Sequence, residues 1–243
     1  DGKELAVGLI DGSFRVLKAA DLSVTFKDHD RKERIGEIRY SPDGAYLAVC
    51  SNDNYTDLYD AKGGYKRTGI CKGHSSYITQ VDWAADSKTL RTNCGAYETL
   101  YFDASNKGKR ITRTPELKWK TWTCVLEDEV DGIWPRGSDK TDVNAGDRSR
   151  SGDVLFATGD DFGTVKIFAW PPSQDHARCK KFAGHSAHVT NVRFTHNDKY
   201  LISVGGGDQR RGILAQCPGA GEKVAVARIA DGDEHVAHEP VAP

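Results

Sequence analysis

The chain has 243 residues, with 34 Lys+Arg against 35 Asp+Glu and a formal net charge of −1. That balance lacks the basic excess of a non-specific nucleic-acid binder, and no apolar run approaches the roughly 18 residues of a membrane span. The six cysteines (Cys50, Cys71, Cys94, Cys124, Cys179 and Cys217) stand singly, without a C-x-x-C pair, which argues against a structural zinc site and against a disulfide framework. They read as reduced, partly buried thiols of a cytosolic protein. No metal and no cofactor is expected.

Read in chain order, the sequence repeats. Asp1-Gly2-Lys3-Glu4-Leu5-Ala6-Val7 is a turn that runs into a small-apolar strand. It returns 42 residues later as Asp43-Gly44-Ala45-Tyr46-Leu47-Ala48-Val49, and 43 residues further as Asp86-Ser87-Lys88-Thr89-Leu90. Ser151-Gly152-Asp153-Val154-Leu155-Phe156-Ala157 is a variant of it, and Asn197-Asp198-Lys199-Tyr200-Leu201-Ile202-Ser203 another. An alternating strand precedes such copies, as in Ile38-Arg39-Tyr40 or Val189 to Phe194. A third strand follows, as in Thr164-Val165-Lys166-Ile167-Phe168. Alternation at period two with regular turns predicts β structure throughout, and no stretch carries a helical apolar period. A repeat of about 40–45 residues is that of a four-stranded propeller blade.

Gly73-His74 precedes the strand Ile78 to Trp83, and Gly184-His185 precedes Val189 to Phe194, at the same phase of the repeat. This resembles the Gly-His of WD repeats, where the His joins a buried hydrogen-bond network with a turn Asp. The resemblance implies that His74 and His185 are structural, with Asp208 as the partner of His185. The partner of His74 is less clear, because the matching turn reads Asn93-Cys94-Gly95-Ala96. The fold class expected is therefore all-β, a partial WD-repeat β-propeller of about four to five blades. Blades are expected at residues 35–72, 78–113, a longer 120–183 and 189–217, with the first copy lacking its opening strand. Because an open set leaves unpaired strand edges, residues 1–217 are expected to be the C-terminal part of a larger propeller protein. Residues 218–243, rich in Ala, Gly, Val and charge, read as an extended tail or linker.

One blade departs from the period. Asp86 and Asp153 lie 67 residues apart, about 25 more than a blade needs. The surplus holds Trp119, Trp122 and Trp134 and reads Trp122-Thr123-Cys124-Val125, then Gly132-Ile133-Trp134-Pro135-Arg136-Gly137-Ser138-Asp139-Lys140-Thr141-Asp142-Val143-Asn144-Ala145, then Arg148-Ser149. This run resembles the C-terminal propeller of the echinoderm microtubule-associated protein-like family, whose pattern is close to W-T-C-x-L-G, G-I-W-P-x-G-S-D-G-T-D-I-N-A and R-S. Lys140 and Glu127 stand where the family usually has Gly. Asp160-Asp161-Phe162-Gly163-Thr164-Val165-Lys166 and the stretch Gly184 to Val192 match as well, so the resemblance spans roughly residues 35–210. It implies a microtubule-associated protein with tubulin or other cytoskeletal and axonemal partners, in the cytoplasm and cytoskeleton, with the ciliary axoneme as a further setting.

Two readings of the insert stand side by side. Trp134-Pro135 is a packed plug, with Asp139, Asp142 and Asn144 holding turns. Alternatively, Arg136, Lys140, Arg148 and Arg150 form an exposed basic loop that draws an acidic tubulin surface, with Trp134 as its buried anchor. Catalytic signatures are missing: Gly205-Gly206-Gly207-Asp208 is no P-loop, Asp160-Asp161 read as turn residues, and there is no G-x-S-x-G elbow. The expected function is a non-enzymatic microtubule-associated propeller; the alternative is a general WD-repeat scaffold for a signalling or ubiquitin-ligase complex.

Overall fold

The computed structural model describes residues 2–150 and 154–206, and the backbone of Gly212–Gln216 and Val226–Ile229. The chain adopts the expected all-β architecture. The first sheet holds β1 (Glu4–Gly8), β2 (Phe14–Lys18) and β3 (Val24–Asp28); the second β4 (Ile35–Tyr40), β5 (Tyr46–Ser51), β6 (Thr56–Asp60) and β7 (Lys66–Cys71). The third holds β8 (Ile78–Trp83), β9 (Thr89–Cys94), β10 (Thr99–Asp103) and β11 (Lys109–Ile111). The fourth holds β12 (Val143–Arg148), β13 (Leu155–Asp160), β14 (Thr164–Ala169) and β15 (Cys179–Ala183), and the fifth β16 (Val189–Phe194), β17 (Tyr200–Gly205), β18 (Gly212–Gln216) and β19 (Val226–Ile229). Each sheet is an antiparallel meander of consecutive strands, the blade that the repeat period predicts.

Local chemistry explains why the repeat folds this way. In three of the repeated turns the first Asp or Asn accepts from the backbone just ahead: Asp43 Oδ1 from Ala45 N–H, Asp86 Oδ1 from Lys88 and Thr89 N–H, and Asn197 Oδ1 from Lys199 N–H. The next residue is left-handed, with φ +68° at Gly44, +59° at Ser87 and +54° at Asp198, the conformation that Gly, Asn and Asp tolerate best. A second device recurs in the opening strand of every four-stranded blade. The pairing slips between Ile35 and Glu37, Ile78 and Gln80, Val143 and Ala145, and Val189 and Asn191. A bulge at this point adds twist to the strand.

The chain divides into two compact units, Asp1–Leu126 and Glu127–Pro243. In the first unit, Phe14 and Val16 of the first blade bury against Ile35, Leu47, Val49 and Tyr59 of the second, with Phe14 and Tyr59 edge to face at 4.8 Å. Ala48, Cys50 and Leu58 of the second blade then pack against Ile78, Val81, Trp83 and Leu90 of the third. Trp83 is fully buried, and its indole N–H donates to the Arg39 carbonyl at 3.2 Å. In the second unit, Ala145, Ala157, Val165 and Ile167 meet Val189, Val192, Phe194 and Leu201.

Two expected boundaries move. The fourth blade opens at Val143, because residues 120–126 hydrogen-bond to the third blade, as described below. Strand β19 lies within the segment read as a tail and pairs with β18 as the outermost strand of the fifth sheet; the rest of that segment lies outside the described residues. On β17, Tyr200, Ile202 and Val204 line one face and are exposed, whereas the matching second strands β9 and, apart from its first residue, β13 are buried on both faces. Replacing Trp83 by Ala empties the centre of the first unit. The expected loss is about 3–5 kcal/mol, read as a lower urea midpoint.

Candidate functional site

The tryptophan-rich insert hangs on one carboxylate. Asp82 is the fifth residue of β8, fully buried in a strand that otherwise supplies core residues. Its Oδ1 accepts from the Thr121 hydroxyl at 2.8 Å and the Thr123 hydroxyl at 3.0 Å. Its Oδ2 accepts from the N–H of Thr123 and of Cys124, both at 2.9 Å. On its other side lies Arg91 of β9, also fully buried, whose Nη2 donates to Oδ2 at 3.2 Å. The Arg91 guanidinium is held between two indoles, 4.2 Å from the Trp119 ring centroid and 3.9 Å from that of Trp122, a favourable arrangement for a planar, weakly hydrated cation. Asn93, two residues along the same strand, accepts from Val125 N–H at 2.9 Å and donates to the Thr99 hydroxyl at 2.8 Å. Burial by itself would raise the Asp82 carboxyl, but the charges of Arg91 and Arg39 and the N–H groups of Cys124 and Thr123 hold it far below the usual carboxylate range.

The Gly-His positions are structural contacts. His74 Nε2 lies 2.6 Å from the Thr92 hydroxyl and His185 Nε2 lies 2.8 Å from the Ser203 hydroxyl, each partner 18 residues on, on the second strand. The His74 Nδ1 faces Glu98 at 3.4 Å, so Glu98 is the turn carboxylate that residues 93–96 did not reveal. Asp208, the partner expected for His185, lies outside the described residues. Burial lowers the His74 pKa despite Glu98. Contacts with Ser75 and the Cys94 thiol hold Glu98 at about 2. His74, Cys94 and Glu98 together could present three metal-ligating atoms, all within 4.8 Å of one another. In the second blade the same slot, four residues before the opening strand, belongs to Arg31. Its guanidinium grips buried Asp57 through two bonds of 2.6 and 2.8 Å and reaches Asp53 at 3.1 Å.

In the second unit the insert continues as a 3-10 turn over Asp128–Ile133 and a loop to β12. Trp134 is buried, 6% exposed. Asp139 accepts from both the N–H and the hydroxyl of Thr141, and Asn144 donates to Asp161 and to the Val189 carbonyl. The four basic residues named from the sequence are not brought into one loop, since β12 separates them. Arg136 and Lys140 are exposed at its start, with Lys140 Nζ 2.5 Å from Asp131. Arg148 lies over the Trp170 ring at 5.0 Å. Arg150 donates to the Phe194 carbonyl at 3.0 Å and neighbours Asp147 and Asp198. Asp160 accepts from the N–H groups of Phe162 and Thr164 and pairs with Lys166. Lys140, at a position where Gly is usual in the resembling family, has φ +61°; the left-handed backbone is the physical reason for that Gly.

Asp82, Arg91 and Asn93 were not singled out from the sequence. Their one visible signal was polar and charged side chains at alternating positions inside the core strands Ile78–Trp83 and Thr89–Cys94.

These features define a class: WD-type β-propeller blades carrying a tryptophan insert locked to one of them. The fold alone is shared with the Cps50 (Swd1) β-propeller domain of Myceliophteria thermophila, at a TM-score of 0.59 and 15% identity over 95% of this chain and 70% of that one. A family model described as the echinoderm microtubule-associated protein second β-propeller matches residues 1–210, and the chain belongs to that family. It is 44% identical over 214 residues to the 77 kDa echinoderm microtubule-associated protein of Lytechinus variegatus, covering 85% of this chain and 32% of that protein. It is 45% identical over 213 residues to the human echinoderm microtubule-associated protein-like 4, covering 85% of this chain and 22% of that protein. The chain thus spans about a third or less of these relatives.

Asp82→Asn leaves Arg91 buried beside a neutral amide. The expected cost is about 3–5 kcal/mol, read by urea denaturation with tryptophan fluorescence as a second probe. Because the folded-state pKa of Asp82 is depressed, its contribution is complete above the unfolded value of about 4 and is lost as pH falls below it. The Asn variant should therefore show a flatter decline of melting temperature between about pH 4 and pH 2. Lys140→Gly relieves a left-handed residue, worth about 1 kcal/mol, and forfeits an exposed ion pair worth about 0–1 kcal/mol. The melting temperature should hold or rise, whereas Lys140→Val should lower it.

Proposed function

We propose that this chain is a non-enzymatic binding module of a microtubule-associated protein, presenting propeller surfaces to the tubulin polymer in the cytoplasm and cytoskeleton. The observation that carries this is the family match over residues 1–210, together with relatives that bear the name microtubule-associated protein. The polar clusters support a binding role: the Asp82, His74 and Asp160 groups are each engaged in holding a turn, a strand or the insert. We also propose that further blades of the same propeller cover the exposed Tyr200, Ile202 and Val204 stripe and the Leu5 and Val7 face of β1. Among the insert residues named from the sequence, Arg136 is the exposed cation that makes no ion pair among the described residues.

Co-sedimentation of the full-length protein with polymerised tubulin tests the reading. Pelleting with microtubules in a saturable, salt-sensitive manner is expected. Pelleting at the level of the tubulin-free control rejects it and leaves the general scaffold as the better description.

A further inference from the structure

We propose that His74, Cys94 and Glu98 of the third blade form a binding site for a single zinc ion. They contribute one imidazole nitrogen, one thiol sulfur and one carboxylate oxygen, and these atoms lie within 4.8 Å of one another. His74 Nδ1 stands 3.4 Å from Glu98 Oε2, and Cys94 Sγ stands 3.3 Å from the same oxygen. Atoms spaced in this way share a common centre about 2.0–2.4 Å from each, which is the length of zinc bonds to nitrogen, oxygen and sulfur. A set that includes sulfur and imidazole favours zinc over calcium or magnesium, which are held by oxygen.

His74 supplies the observation that points to a ligand. Its side chain is 2% exposed, and Nδ1 is buried without a hydrogen-bond partner. A buried polar atom in this condition requires an explanation, and this one is aimed at a thiol and a carboxylate. The far ring nitrogen, Nε2, lies 2.6 Å from the Thr92 hydroxyl. A proton donated there leaves the Nδ1 lone pair open to a metal, which is how a partner at one ring nitrogen orients a ligating histidine. The other two ligands sit on a closed turn. Cys94 N–H donates to the Glu98 carbonyl at 3.2 Å and Tyr97 N–H to the Cys94 carbonyl at 3.0 Å. Ser75 N–H, one residue past the histidine, donates to Glu98 Oε2 at 2.9 Å.

A structural Gly-His contact explains the imidazole and the carboxylate but not the thiol. In the fifth blade His185 meets Ser203 as His74 meets Thr92. Yet Gly205 stands opposite Val189 there, where the third blade pairs Ile78 with Cys94. The second blade has Ser51 at this place and the fourth has Asp160. Among the described residues, imidazole, thiol and carboxylate meet in the third blade alone. Coordination requires the Cys94 thiol to release its proton to solvent, and its bond to Glu98 gives way to a zinc–sulfur bond. Thiolate and carboxylate then balance the two charges of the ion, against the opposing guanidinium of Arg110 near Gly73 and His74. Gly73, Ser75, Ala96 and Tyr97 around the cluster are exposed, and the Glu98 side chain is 36% exposed. The ion thus has an entry path, and water completes the tetrahedron.

The test uses the full-length protein, stripped with a chelator and titrated with cobalt(II), a spectroscopic substitute for zinc, and then with zinc in competition. Cobalt should produce a thiolate-to-metal absorption band together with the d–d bands of a tetrahedral site, and zinc should bleach both. Cys94→Ser keeps a hydrogen-bonding side chain of similar size; it should lose the thiolate band and at least about tenfold in metal affinity. The control Cys179→Ser, on β15, should match the wild type. Zinc should raise the melting temperature of the wild type and leave that of Cys94→Ser unmoved. Circular dichroism confirms folding, and Glu98→Gln replaces Cys94→Ser if the latter does not fold, with the loss of affinity as its readout. No thiolate–cobalt band in the wild type, a band retained in Cys94→Ser, unchanged affinity in Glu98→Gln, or an equal loss in the control overturns the proposal. Microtubule pelleting plays no part in the readout, so the zinc site and the microtubule association stand or fall separately.

Discussion

The Asp82 carboxylate organises the first unit around it. A buried carboxylate is tolerable only when its lone pairs are filled, and here they are filled by one arginine and by N–H and O–H groups from Thr121, Thr123 and Cys124. Once Asp82 and Arg91 are inside, the W-T-C segment must lie where it does. Its backbone supplies donors that the blade itself lacks, and its two indoles cover the guanidinium. The insert is therefore part of the third blade's polar core, although it follows that blade in the chain.

The same logic runs through the other blades with different residues. The fifth position of the opening strand is Arg39, Asp82, Asp147 and Arg193 in the four blades that have one. Asp147 accepts from the Phe194 N–H at 2.8 Å, and Arg193 reaches the Gly146 carbonyl at 3.3 Å. Between the first three blades apolar side chains fill the contact, as with Ala48 and Cys50 against Trp83. Polar groups at the ends of the strands set where each blade begins and turns. Burial drives the packing, and the satisfied hydrogen bonds select one arrangement among many apolar ones.

Much of this was legible beforehand because blade repeats leave a periodic trace. Asp43, Asp86 and Asn197 mark the same turn, and the alternation around Leu47, Leu90 and Leu201 marks the same strand. The family likeness was carried by residues 122–149, whose tryptophans and turn acids are unusual outside that family. The insert's attachment was not legible, since it depends on contacts between residues 41 and 32 positions apart: Asp82 with Thr123, and the Asn93 side chain with the Val125 N–H. The clustering of Arg136, Lys140, Arg148 and Arg150 failed for a related reason. A loop of unknown path was read as one surface, and a strand of six residues runs through it. Glu98 escaped notice because a Glu occupies a place where an Asp was sought.

Arg31 and His74 occupy equivalent slots, yet they answer acid differently. A guanidinium keeps its charge throughout the physiological range, so the grip of Arg31 on Asp57 needs no change of protonation. The His74 imidazole is buried neutral, and its lowered pKa means that the unfolded chain takes up the proton first. As pH drops below about 6.5, the third blade's turn loses stability while the second blade's turn holds. Acidification would then loosen the third blade's turn before the second's, a difference in local resilience written by which residue fills one recurring position.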